Sequence, residues 1–219
     1  MNYTQLRSLL THWLLRTGDD SFGERLPEFI LLAEAAMERR LRVPELEKIA
    51  TIDIGAESAI YPLPVDFQRH ISMHFVSATV PANVPSGRVI NAMELHALQQ
   101  QYREMPNGAP RAYALWGNQI LFGPRPDADY RLELVYYSRL PALGDATPTN
   151  AVLDRYPDLY LYSTLVEALP TIGGDPALVA GYLAQASNRL EQAVAQLNAD
   201  NVGSKYAQAR VQGRRPSGQ

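Results

Sequence analysis

Apolar residues recur at helical spacing near both ends of the chain and in alternation through its middle. Leu6, Leu9, Leu10, Trp13 and Leu14 form one face of a first helix over residues 5–16, with Thr4 placed to cap it and the polar run 17–21 to end it. Leu26-Pro27-Glu28 opens a second helix, with Pro27 near its first position. Phe29, Ile30, Ala33, Met37 and Leu41 give its apolar stripe. Glu34, Glu38, Arg39, Arg40 and Arg42 give its wet side, acids early and arginines late as the helix dipole favours. Pro44 stops it. The period then changes. Residues 49–54, 58–61 and 71–76 alternate as strands, with a turn at Pro62, Pro64 and Asp66 and a loop at Pro81, Pro85, Ser86 and Gly87. A short helix over 92–104 turns Leu95 and Leu98 inward. Gly117-Asn118 between 111–116 and 119–122 is a two-residue hairpin signal. In the strand 130–137, Tyr130, Leu132, Leu134 and Tyr136 share one face.

The most apolar stretch is 155–169, where Glu167 is the only charge after Asp158. Pro157 suits the first turn of a helix, and Asp158 sits where the helix dipole favours an acid. A helix apolar nearly all round needs cover on most sides, and burying its large side chains stabilises the fold by something on the order of 10 kcal/mol. It is a core helix, and it is also able to pack against copies of itself through Tyr156, Tyr160 and Tyr162. After Pro170 and Gly173-Gly174, Asp175-Pro176 opens a last helix reaching about residue 199. Val179, Leu183, Ala186, Leu190, Ala193 and Leu197 form a heptad seam on it, fit for the central helix or for a neighbouring subunit.

The expected fold is α+β: an antiparallel helical bundle of four main helices with an inserted antiparallel β-rich subdomain and an extended C-terminal arm. Its boundaries fall at 1–48 and 141–200 for the two halves of the helical domain, 49–140 for the insertion and 201–219 for a basic arm. Past Asp200 there is no acid, whereas Lys205, Arg210, Arg214 and Arg215 are basic. That tail is either disordered or an arm that orders on a partner.

At 219 residues and 46% hydrophobic, the chain can bury a sizeable core. A net charge of −3 gives no basic excess for nucleic acid, and with no cysteine there is no disulfide frame or thiolate metal site. The opening residues lack a signal peptide's basic and apolar regions, and no stretch approaches a membrane span. His70 and His74 have the spacing of a helical zinc pair, but alternation puts both on a strand, where four residues span about 13 Å. The sequence holds no H-E-x-x-H, phosphate loop, dinucleotide fingerprint or G-x-S-x-G elbow, so no catalytic residue, cofactor or metal site is assigned. A glycosidase-like pair among Glu94, Glu104, Asp127 and Asp129 depends on spatial separation.

Several phrases occur in a telling order. They are a first helix with a Trp-Leu pair, the run Leu26-Pro27-Glu28-Phe29-Ile30-Leu31-Leu32-Ala33-Glu34-Ala35, Leu63-Pro64-Val65-Asp66-Phe67, and Gly108-Ala109-Pro110-Arg111-Ala112-Tyr113-Ala114-Leu115-Trp116-Gly117-Asn118. Gly123-Pro124-Arg125-Pro126-Asp127 follows, then the strand from Tyr130 to Tyr137, then Tyr156-Pro157-Asp158-Leu159-Tyr160-Leu161-Tyr162. Together they resemble the head-to-tail adaptor family of tailed bacteriophages, including adaptors of short-tailed phages related to tail tubular protein A. The likeness spans residues 3–197 and matches no motif after Asp200.

The resemblance implies a structural virion protein, assembled in the host bacterial cytoplasm. Copies, usually twelve, would form a ring beneath the portal, prolong the DNA channel and give a downstream tail or nozzle protein its attachment surface. Packaged DNA would pass without sequence-specific contact, and no membrane or cofactor is implied. Within that picture Tyr156, Tyr160, Tyr162, Val179, Leu183, Ala186 and Leu190 are candidates for the subunit interface. Lys205, Tyr206, Arg210, Arg214 and Arg215, by position and sign, are candidates for portal contact. The alternatives are a virion-associated peptidoglycan hydrolase of the connector, an activity attributed to some adaptors of short-tailed phages, and an unrelated cytosolic helical binding module.

Overall fold

The computed structural model describes residues 1–41, 43–56, 58–76, 87–172 and 175–213, with side chains described to residue 199 apart from 198. The chain divides into two compact units, Met1–Leu46 with Leu140–Gln219, and Glu47–Arg139. It is a mixed α+β protein with two sheets.

The helical unit opens with α1 (Tyr3–Trp13). Its cap is Asn2, not Thr4: the Asn2 side chain accepts from Gln5 N at 2.8 Å, and the Gln5 side chain accepts from Asn2 N at 2.9 Å. The helix stops at Leu14. Leu15 N–H then donates to His12 O at 3.1 Å and Arg16 N–H to Thr11 O at 2.9 Å, the paired bonds of a Schellman motif. Leu15 takes the left-handed position, φ +53°, that glycine usually fills.

The second helix, α2 (Asp20–Arg40), starts well before Leu26, because the Asp19 carboxylate caps it by accepting from Phe22 N at 3.1 Å. Pro27 therefore lies inside the helix, and its missing N–H leaves the Gly23 carbonyl without its usual helical donor. Arg7 of α1 takes that place, donating from Nη2 to Gly23 O at 2.9 Å. Phe29, Ile30, Ala33, Met37 and Leu41 are buried, as their spacing required. Glu34 departs from expectation. It is buried on the same face, one turn from Ile30, and serves the backbone of the returning chain.

That return contains a helix the periodicity did not reveal, α4 (Ala151–Arg155), capped by Asn150. The apolar helix is α5 (Pro157–Ala168), with Pro157 in its first turn. It packs against α1, α2, α4 and α6 (Pro176–Gly213), which explains its nearly uniform apolar surface. Asp175 opens α6 by accepting from Ala177 N at 2.9 Å. The backbone of α6 stays helical through 201–213, past the expected end near residue 199.

The β unit carries one α-helix among the described residues, α3 (Leu95–Tyr102). One sheet pairs β1 (Glu47–Ile54), β7 (Tyr130–Ser138) and β3 (Phe67–Phe75) in the order β1-β7-β3, antiparallel throughout. The other runs β2-β6-β5-β4, from β2 (Ile60–Pro62), β6 (Gln119–Gly123), β5 (Ala112–Trp116) and β4 (Asn91–Ala92). The β5–β6 hairpin turns at Gly117, φ +57°, with Trp116 opposite Gln119. The β4–β5 pair is parallel, so the insertion is not purely antiparallel; α3 supplies the crossover that a parallel pair needs.

Alternation sorts the β unit into layers. Tyr130, Leu132, Leu134 and Tyr136 meet Tyr113, Ile120 and Phe122 in one core between the sheets. Ala112 and Ala114 face the other way, onto Leu98 of α3. Gly123 allows that closeness, since a Cβ there would stand 2.6 Å from the Tyr102 ring.

Candidate functional site

Among the described residues, the helical unit leaves a large apolar groove open. Trp13, Leu14 and Leu15 at the end of α1, Tyr162, Leu165 and Leu169 after it in the α5 region, and Leu178, Val179, Tyr182 and Ala186 of α6 line a groove of about 500 Å³. Asp175 and Arg189 stand at its rim. The Trp13 and Tyr162 rings meet edge to face, 6.4 Å between centroids. Trp13, Leu15, Leu178 and Tyr182 are each more than half exposed, Leu15 at 90%. An open apolar patch of this kind, rimmed by polar groups, marks a place where another apolar surface sits.

The residues expected at a subunit interface divide. Tyr162, Val179 and Ala186 line the groove. Tyr160 is fully buried within the chain's own core, so in this conformation its side chain is out of a neighbour's reach. Its hydroxyl accepts from Asn150 Nδ2 at 2.6 Å and donates to Glu34 Oε1 at 3.1 Å. Leu190 is buried and Leu183 half-buried, on the seam by which α6 packs in its own unit. Tyr156 sits at the junction of α4 and α5, with the Arg155 guanidinium 5.6 Å over its ring. Of the portal candidates, Lys205, Tyr206 and Arg210 lie on the helical backbone of α6, but their side chains fall outside the described residues. Arg214 and Arg215 lie outside the described residues altogether.

Leu15, Leu178 and Tyr182 are groove residues that the apolar pattern does not single out, and Trp13, on the apolar face of α1, is half exposed and not core. A signal for two of them is present: Leu178 and Tyr182, one turn apart, stand one position off the seam residues Val179 and Leu183.

The buried polar cluster beside the groove helices is structural. Glu34 Oε1 accepts from Leu143 N at 2.8 Å and from Tyr160, while Glu38 Oε1 accepts from Leu140 N at 2.8 Å. Burial pushes the Glu34 carboxyl above its ordinary range, against the opposing pull of the Leu143 and Tyr160 bonds. Burial also raises the Tyr160 hydroxyl.

In the β unit, His70 and His74 lie on β3. His70 meets the Tyr113 ring edge-on, and His74 Nε2 lies 3.0 Å from Glu133 Oε2. Asp127 accepts from the Tyr130 hydroxyl, and Asp129 accepts from Ala56 N at 3.2 Å. Among the described residues no group of three or more His, Asp or Glu is placed to hold a metal ion, and no helix is long and apolar enough to cross a membrane.

The chain is thus α+β, with a helical unit, a β unit inserted in its sequence and an apolar groove open on the helical unit. The chain matches the family model described as SU10 adaptor protein over residues 1–214, and it belongs to that family. The match agrees with the likeness to phage head-to-tail adaptors and makes a structural adaptor role the family-level reading. No curated protein matches the chain.

Proposed function

We propose that the chain is a subunit of the adaptor ring joining portal to tail in a phage particle. Twelve copies would surround and prolong the DNA channel, and the assembled ring would offer the attachment surface for the tail or nozzle protein. The observation that carries this reading is the open apolar groove in a chain that matches an adaptor family over nearly its whole length. A closed ring needs two different faces on each copy, joined by a rotation that returns to its start. The basic residues Lys205, Arg210, Arg214 and Arg215, with Tyr206, make the portal contact. No sequence reading of DNA is involved, because a channel wall need only let the phosphate backbone pass.

Electron microscopy of the full chain mixed with portal-bearing heads tests the proposal. The expected result is a new ring at the portal vertex. Decoration elsewhere, or none, would overturn it. A muralytic assay on the purified chain tests the hydrolase alternative, and an inactive chain is the expected result.

A further inference from the structure

Every large hydrophobic residue exposed on the helical unit, among the described residues, falls in one of two patches. Trp13, Leu15, Leu178 and Tyr182 belong to the groove. Leu31 and Leu32 belong to α2, where the stripe of Phe29, Ile30, Ala33 and Met37 is buried and these two leucines point to solvent. Two unpartnered patches on one chain suit a heterologous contact, in which each face of one copy meets the other face of the next.

The stripes match in spacing. On α6 the exposed positions Asp175, Leu178, Tyr182, Gln185 and Arg189 recur three, four, three and four residues apart. On α2 the exposed positions Glu24, Glu28, Leu31 and Ala35 recur four, three and four apart, and Arg39 follows. Such spacing keeps one face in line along a helix packed side by side with another. The two stretches agree in length to within about one turn: at about 1.5 Å per residue, Glu28 to Arg39 spans roughly 16 Å and Asp175 to Arg189 roughly 21 Å.

Charge sets the direction. The α2 stripe has its acids before the leucines and Arg39 after them, whereas the α6 stripe has Asp175 before and Arg189 after. Laid parallel, like charges would face each other. Laid antiparallel, Glu28 faces Arg189 and Arg39 faces Asp175. Among the described residues, Glu28, Arg39 and Arg189 take part in no ion pair within the chain.

Leu15 adds an independent sign. It holds a left-handed backbone, which disfavours any side chain, while presenting that side chain to water beside the groove. A residue that opposes both local rules belongs to a surface that is covered in the assembled state.

We propose that the Leu31–Leu32 face of α2 from one copy seats in the Trp13–Leu15–Leu178–Tyr182 groove of the next, with the two helices antiparallel. This rests on the reading of the chain as a ring subunit. Because the chain has no cysteine, an introduced pair meets no competing thiol from the chain itself. The full chain carrying Leu31→Cys and Tyr182→Cys, assembled on portal-bearing heads and oxidised, should give a ladder of covalent dimers, trimers and higher species. Tyr182→Cys alone should give none. A ring without the ladder overturns this interface and leaves the ring reading standing; dimers from Tyr182→Cys alone replace it with groove-to-groove pairing; no ring from the unmodified chain overturns both. Charge reversal supplies a second measurement on surface positions. Glu28→Arg or Arg189→Glu should each weaken assembly about tenfold, and the two together in one chain should restore it to within about threefold of the unmodified protein. Failure of the double variant to recover would also sink the antiparallel pairing.

Discussion

At the residue scale, Glu34 shows how a carboxylate becomes a structural strut. Its acceptor Oε1 holds the Leu143 amide and the Tyr160 hydroxyl, and burial raises its protonation point. The consequence for stability has a definite sign. The folded group keeps its proton to higher pH than the ordinary value of 4.5, so as pH rises past that value the unfolded chain gives its proton up while the folded state still holds it. Stability from this group is fully present below the unfolded value and is lost as pH rises through the folded one. Glu34→Gln keeps an acceptor oxygen and has no charge to bury. The variant should match wild type near pH 4 and gain on it as pH rises toward about 7, read as urea midpoints across that range. Leu15→Gly acts on the backbone instead. Glycine accepts φ +53° without the side-chain penalty, so the variant should be more stable by about 1 kcal/mol while assembling less well, as measured by thermal unfolding and by ring formation on heads.

At the element scale, Asn150 anchors three pieces of chain at once. Its Oδ1 accepts from Leu153 N at 2.9 Å, capping α4, and its Nδ2 donates to Pro141 O at 2.8 Å and to the Tyr160 hydroxyl. Asn150→Ala removes the cap and leaves buried acceptors without a donor, a loss of about 2–4 kcal/mol that denaturant unfolding would register. Elements that bury one periodic face were legible beforehand: the α2 stripe, the alternation of β7 and the Gly117-Asn118 hairpin follow directly from spacing. Those fixed by polar capping or long-range bonding were harder to see. The early start of α2 depends on Asp19 and on Arg7 answering the carbonyl that Pro27 leaves free, a contact between separate helices. The five-residue α4 is too short to show a period. Part of the candidate site was legible through Tyr162, Val179 and Ala186, because a seam residue at the edge of a packed helix also borders the open surface. Leu15 was not, since local rules argue against a leucine at that backbone position.

At the scale of the whole molecule, the proposed adaptor role assigns holding the fold together and attaching to the particle to different stretches of α6. The described packed positions of its seam end at Leu197, and the basic run begins after Asp200. Removing residues 200–219 should therefore leave the core of the helical unit intact while taking away Lys205, Tyr206, Arg210, Arg214 and Arg215. The truncated chain should keep its far-ultraviolet circular dichroism per retained helical residue and a thermal midpoint within about 4 °C of wild type, the shift about 1 kcal/mol would produce in a domain of this size. Its attachment to portal-bearing heads should fall at least about tenfold. If the arm acts through its charges, attachment of the intact chain should also weaken as salt rises, because screening shortens from about 10 Å at 0.1 M to about 3 Å at 1 M. The proposed seating of α2 in the groove, apolar at its centre, should lose to the same salt only what its flanking charge pairs contribute. Attachment that survives the deletion would assign the portal contact to another surface, whereas a collapsed thermal midpoint would show that the stretch past Asp200 also supports the fold.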